Sequence, residues 1–318
     1  MSKRFSRAFA LGLATLFCAL LALSGAQAQG GASSVIGAVK DQDGKAVAGA
    51  SVKLKNPDTN LTLTATTDDN GNFAFRSVSP NTYGIEVEAK GFKRYVTSVA
   101  ALVDNSVSVD VSLTVGAIEE TVTVTGSGAE ALINNQDASL GNNFNAQQII
   151  QLPLNARNVA DLLSLQPAVT SDGYVAGGRS DQANLTLDGV DVNEQQTGAA
   201  FSPVLRVSPD SVEEFRVTTT NANASQGRSS GAQVSFVTKS GTNQFHGSLF
   251  EYHRNTITTA NNYFNNLAGL PREKLLRNVF GGAIGGPIVK DRLFFFYNFE
   301  GRRDARSSTQ TRTGLWQV

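Results

Sequence analysis

One cysteine, one methionine and two histidines among 318 residues remove several kinds of chemistry at the outset. The cysteine, Cys18, lies in an apolar run near the amino terminus. Beyond that run the chain has no disulfide framework, no thiolate metal site and no cysteine nucleophile. His246 and His253 stand outside any H-E-x-x-H pattern, so zinc hydrolysis lacks both its ligands and its base. Charge is sparse and balanced, 27 basic side chains against 27 acidic, which leaves no basic surface of the kind that marks nucleic acid as a partner. After the first thirty residues no apolar stretch approaches the roughly twenty needed for a spanning helix. Any membrane crossing there must be built from strands, because hydrocarbon offers unpaired backbone groups no partner outside helices and closed barrels.

What the chain does have begins with Lys3, Arg4 and Arg7, an apolar run from Ala8 to Leu23, and the small-residue pattern Ala26-Gln27-Ala28. This is the three-part layout of a secretory signal peptide over residues 1–28, with the mature chain expected to start at Gln29. The apolar run is about sixteen residues, short of the roughly twenty a membrane helix requires. Removing it takes away Cys18 and three cations and leaves a small acidic excess.

From residue 33 to residue 113 short runs alternate with period two, among them Val35-Ile36-Gly37-Ala38-Val39, Phe73-Ala74-Phe75 and Val107-Ser108-Val109-Asp110-Val111. Such alternation gives each strand one buried and one wet face. Asp41-Gln42-Asp43-Gly44, Asn56-Pro57-Asp58, Asp68-Asp69-Asn70-Gly71 and Ser79-Pro80-Asn81 punctuate them, so six or seven strands form a compact β-sandwich. The Asp-Gly turns could be taken for calcium loops, but neither reaches the twelfth-position Glu of an EF-hand. Hairpin turns account for them. The order Gly37-x-Val39-x-Asp41, Gly49-Ala50-x-Val52, Thr67-Asp68-x-x-Gly71-x-Phe73-x-Phe75 and Val78-x-Pro80-x-x-Tyr83 resembles the carboxypeptidase regulatory-like domain, a transthyretin-like sandwich. Asn81-Thr82 stands where that family usually has a glycine before the tyrosine. The resemblance implies an accessory module and not a peptidase; related sandwiches include starch-binding modules, which leaves glycan contact open.

Residues 116–126, with Glu120-Thr121-Val122-Thr123-Val124 at their centre, start acidic and continue as alternating Val and Thr. Local residues alone allow either a last sandwich strand with its linker or a free extended segment. The segment resembles the TonB box, the strand that a periplasmic energy-coupling protein grips by β-augmentation. Residues 127–241 then resemble the plug domain of the same receptors. Asn145 to Pro153 and Asn155 to Leu163 read as two short helices with Asn starts. Arg179 precedes the Asp188-Gly189 hairpin, as in the plug signature, and Gly227 and Gly231 bracket a loop before a strand ending Thr238-Lys239-Ser240-Gly241. Gly227-x-Ser229-x-Gly231 also matches a hydrolase nucleophile elbow, but that motif needs a buried strand before the serine and a helix after it, and both flanks here are wrong.

Residues 245–318 read as the opening strands of an outer-membrane β-barrel, cut short. Phe245 to Arg254 is strand-like, a long polar loop follows, and a tight Pro287 to Asp291 turn joins Asn278–Gly286 to Leu293–Phe299. One long loop followed by one short turn matches the outer and periplasmic ends of such a barrel, with strands of roughly nine to eleven residues. Gly281 through Arg303 resembles the Oar-like branch of TonB-dependent receptors. The expected fold is therefore mainly β: an N-terminal sandwich, an α+β plug and the first strands of an incomplete barrel. The resemblance implies energy-coupled uptake with a TonB-type coupling protein and the outer membrane as partners, an unidentified extracellular ligand such as a glycan or peptide, and no catalytic residue, cofactor or metal. The competing reading is a secreted or surface binding module, an adhesin or carbohydrate-binding sandwich, without transport.

Overall fold

The computed structural model describes residues 31–116, 121–123 and 138–307, apart from 153, 155–156, 171, 195, 197–200, 225 and 228–229. The expected signal peptide, Glu120, Val124, Ser229, residues 127–137 and residues beyond 307 lie outside the described residues.

The sandwich consists of β1 (Ser33–Asp41), β2 (Ser51–Lys55), β3 (Thr62–Thr66), β4 (Asn72–Val78), β5 (Asn81–Glu88), β6 (Arg94–Ala101) and β7 (Ser106–Leu113), joined by β8 (Thr121–Thr123). One sheet has the order β4-β1-β7 and the other β3-β2-β5-β6-β8. The alternating apolar positions meet between them: Val35, Val39, Val52, Leu54, Phe73, Ile85, Val87 and Leu113 are all buried. Asp41 and Asp68 organise the turns, each accepting two backbone N–H groups from its own loop, Asp43 and Lys45 in one case, Asn70 and Asn72 in the other. In the second loop the bonds from Asn72 and Asn70 favour the charged form and hold Asp68 below its ordinary range. At the Asn81-Thr82 departure the turn closes in its own way: the Asn81 amide donates to Asp58 at 2.8 Å and the Tyr83 hydroxyl to the Ser79 carbonyl at 2.9 Å.

The next unit is a five-stranded sheet ordered β11-β10-β13-β12-β9, from β9 (Leu140–Asn145), β10 (Asn184–Leu187), β11 (Val190–Asp191), β12 (Val212–Thr220) and β13 (Gln233–Thr238). The first expected helix is α1 (Ala146–Gln151), capped by Asn145 in a reciprocal box with Gln148. The second differs from expectation. It is a 3-10 helix, Val159–Leu165, capped by Asn158, because Arg157 has φ +52° and a left-handed residue cannot continue a right-handed helix. Ile149, Leu162 and Leu163 cover Phe215 and Phe236 of the sheet, and Phe144 stacks on Phe215 at 4.6 Å.

The last unit is an antiparallel meander of β14 (His246–Asn255), β15 (Leu275–Val289) and β16 (Leu293–Arg306), with the short helix α2 (Tyr263–Leu267) in the long loop. β15 and β16 run to 15 and 14 residues, longer than the expected nine to eleven, because the ladder continues from the apolar rows to Leu275↔Arg306. Register separates two faces. The rows Leu249–Gly282–Phe299 and Gly247–Ile284–Tyr297 share the outer face, on which Leu249 is 92% exposed, and Phe245, just before β14, packs its ring against Phe295 of the pair Gly286↔Phe295. The β15 glycines act as gaps: a Cβ on Gly282 would lie 2.6 Å from the Leu249 side chain, and one on Gly286 2.5 Å from the Phe245 ring. The intervening rows, including Phe250–Gly281–Glu300 and Tyr252–Val279–Arg302, face the preceding unit.

Leu54 is fully buried and Leu61 is 55% exposed. Leu54→Ala should therefore cost about 2–5 kcal/mol, from lost burial plus the cavity left behind. Leu61→Ala should change stability by less than about 0.5 kcal/mol. Denaturant unfolding followed by near-ultraviolet circular dichroism distinguishes the two.

Candidate coupling and plug site

Of the segment that resembles a TonB box, Thr121–Thr123 is described, and it is paired as a strand. It pairs in parallel with β6 in the register Arg94↔Thr121, Tyr95↔Val122 and Val96↔Thr123. The path to it is fixed upstream, where Lys93 N–H donates to the Thr114 carbonyl and Gly116 N–H to the Gly91 carbonyl.

The signature residues of the second unit fall into two groups. Asp188 and Gly189, at φ +49° and +81°, make the two-residue turn between β10 and β11. The Asp188 carboxylate then reaches across the sheet, accepting the backbone N–H of Thr238 at 2.9 Å and its hydroxyl at 2.8 Å. Arg179 and Gly231 meet at the turn Ser180–Gln182. Arg179 is exposed and ion-paired with Asp181 at 2.8 Å, and its N–H donates to the Gln182 side chain. Gly231 donates its N–H to the Gln182 carbonyl, and a Cβ there would lie 2.6 Å from that oxygen, so no other residue fits. Gly227 lines a polar cleft of about 340 Å³ together with Gly189 of the first group and with Asp104 and Asn105, at the border with the sandwich. These residues position backbone, and the described ones assemble no nucleophile–base pair.

Two polar joints that sequence reasoning missed connect the units. Between sandwich and second unit, the Glu214 carboxylate accepts the Val103 N–H at 3.3 Å and the Asn143 amide at 2.6 Å, while the Ser235 hydroxyl donates to Asp104. Glu214 is 6% exposed, and burial pushes its carboxyl up to about 7; Glu213 adds to this, while the bonds from Asn143 and Val103 and the charge of Arg216 oppose it.

Between the second unit and the strand meander, Arg157 donates to Asp210 and, at 3.2 Å, to Glu300 of β16. Ser208 donates to the same Glu300 oxygen at 2.9 Å and Ser248 to Asp210 at 3.3 Å. The guanidinium lies 4.4 Å from the ring centres of both Phe250 and Tyr252 on the inner face of β14. One buried cation thus holds two anions and two aromatic faces across the border. Asp210 and Glu300 lie 53 and 143 positions from Arg157, and Arg157 sat unremarked inside the segment Asn155 to Leu163 that the sequence pattern assigned to a helix.

Comparison with known proteins gives two segment-level similarities first. Residues 34–114 match the family model of the carboxypeptidase regulatory-like domain, and residues 237–315 that of the outer membrane beta barrel domain. The particular relative is the TonB-dependent transporter Oar of Myxococcus xanthus, 28% identical over 304 residues, 87% of this chain and 27% of that protein. The chain therefore resembles an Oar-like TonB-dependent receptor across most of its length and spans about a quarter of the relative. Among solved structures, the siderophore receptor PirA from Acinetobacter baumannii is 19% identical over 54% of this chain and 25% of its own, with a TM-score of 0.40. Hydroxyquinol 1,2-dioxygenase from Pseudomonas putida DLL-E4 is 13% identical over 27% of this chain and 57% of its own, with a TM-score of 0.24. At those scores neither structural likeness bears on function.

Two outcomes follow from the joints. Unfolding should release the Glu214 proton between pH 4.5 and 7, because the unfolded carboxyl ionises near 4.5 and the buried one near 7. The native state holds more protons across that window, so stability falls as pH rises through it, by on the order of 3 kcal/mol. Glu214→Gln keeps both acceptor bonds and should flatten that slope, as read from unfolding midpoints at pH 5 and pH 8. Arg157→Ala leaves Asp210 and Glu300 as buried, uncompensated charges and should cost about 3–5 kcal/mol. Thermal unfolding with proteolysis as the probe of second-unit release checks it.

Proposed function

We propose that this chain is the amino-terminal part of an energy-coupled outer-membrane receptor. Its sandwich faces the periplasm, residues around Glu120 to Val124 engage a TonB-type coupling protein, and the plug is remodelled when that segment is pulled. The observation that carries the reading is the polar wiring of the plug to the inner face of the barrel strands through Arg157, Asp210 and Glu300. Such a joint keeps a plug seated at rest while leaving it separable, since its strength lies in a few charged bonds and not in a continuous apolar interface. The apolar outer rows of β14 to β16 support placement in lipid, and the similarity to Oar supports the transporter class. Transport, coupling partner, export through a cleaved signal peptide and the domain limits at residues 113, 126 and 241 are parts of this proposal. The ligand is an extracellular solute of unassigned class, with glycans and peptides as candidates.

Strand addition depends on extended geometry and backbone N–H groups more than on side chains. Proline has no N–H and cannot bond on the ladder side. In a full-length version with a complete barrel, Val122→Pro should abolish crosslinking of the segment to the coupling protein while heat-modifiable migration, the mark of a folded barrel, is retained. Val122→Thr should crosslink at near wild-type yield. Normal crosslinking of the proline variant would make the segment a linker and remove the coupling assignment.

A further inference from the structure

Resting on the coupling reading, the backbone pairing of Thr121–Thr123 points to a regulatory contact. We propose that the β6 edge of the sandwich stores the coupling segment as a strand, and that the coupling protein must displace β6 to take hold of it.

β6 pairs with β5 on one side over seven positions, from Asn81↔Ala101 to Val87↔Tyr95. Its other side would be an open edge, the part of a sheet that templates addition of another strand. β8 fills that edge. The segment that resembles a strand-donating motif is thus already donated, within its own chain. Strand addition to a coupling protein and strand addition to β6 draw on the same backbone groups and the same extended shape, so the two are competitors.

The contact is built to be reversible. It spans three register pairs, against seven for β5–β6, and it is parallel, the slightly weaker geometry per residue. A short edge strand of this kind is drawn from the low-stability end of a fold, where local opening is cheap. It is also built to re-form. The bonds of Lys93 to Thr114 and Gly116 to Gly91 hold the chain beside β6 just before residues 117–120 lead to β8. That short tether gives the segment a high effective concentration at its own edge. A competitor then binds with an apparent affinity lowered by the fraction of time the segment is docked. The sandwich, placed just ahead of the coupling segment, acquires a task in this reading: it sets how readily the receptor is engaged.

The test locks the contact with a disulfide. Val96→Cys and Thr123→Cys are register partners, and Cys18→Ser removes the chain's one native cysteine. The probe is the purified carboxy-terminal domain of the coupling protein, bound to the detergent-extracted chain before and after reductant. Lys53→Cys with Thr64→Cys, register partners in β2 and β3, is the control lock. The expected result is a disulfide at both pairs, with binding at least tenfold weaker in the oxidised Val96–Thr123 lock, restored by reductant, and unchanged by the control lock. Restoration within one preparation separates competition from misfolding. Undiminished binding by the oxidised lock overturns the competition, the coupling protein then using the other edge of β8. Failure of this pair to oxidise while the control does overturns the docking itself. Absence of binding by the reduced and wild-type chains refutes the coupling reading, and the disulfide yield still reports separately on whether β8 docks.

Discussion

Every backbone N–H and C=O that leaves water must find a partner, and in hydrocarbon that partner can only be another part of the same wall. This constraint governs the carboxyl-terminal strands, where β15 is bonded on both sides along nearly its whole length. It also explains the glycines at 281, 282, 285 and 286. In a helix they would mark close packing of two helices. In a central strand Gly282 and Gly286 make room for Leu249 and Phe245 to lie across the outer face, and Gly281 makes room for Phe250 on the inner one, so side-chain cover comes from the flanking strands. The same requirement runs through the other two units in milder form, where Asp41, Asp68 and Asp188 close turns and strand ends by accepting backbone N–H groups.

Much of this was legible because it is local. A strand face is written in alternate residues, a helix start in Asn145 and Gln148 three positions apart, and a tight turn in the adjacent pair Asp188-Gly189. The aromatic run Phe294 to Phe299 was legible as strand but not as sidedness; the faces emerge once register puts Leu249, Gly282 and Phe299 in one row. The second helix was misplaced for a local reason of another kind: nothing in an arginine's identity announces that Arg157 takes a left-handed conformation.

The joints between units were not legible, and the reason is sequence separation. Arg157 finds Glu300 across 143 positions and Glu214 finds Asn143 across 71, and no period or motif encodes such meetings. Their residue types gave no warning either, since arginines and glutamates are usually solvated. Motif matching pointed to Arg179, which the structure leaves exposed beside Asp181. The arginine that holds units together is Arg157, in a segment that pattern reading assigned to a helix.

The Arg157 cluster, the Glu214 joint and the β8 contact within the sandwich differ in how they fail. The Arg157 cluster joins buried charges, so removing one partner strands the others at a cost of several kcal/mol, and it opens as a whole or not at all. The Glu214 joint is graded by protons, because a carboxyl that burial raises to about 7 gains charge within the ordinary pH range. The β8 contact is three register pairs of backbone, each bond exchangeable with water or with another strand at little net cost. A tension applied near residues 121–123 would therefore reach the weakest contact first and the ionic cluster last. That ordering follows from the chemistry of each contact, and under the proposed coupling the segment would come free before the second unit moved.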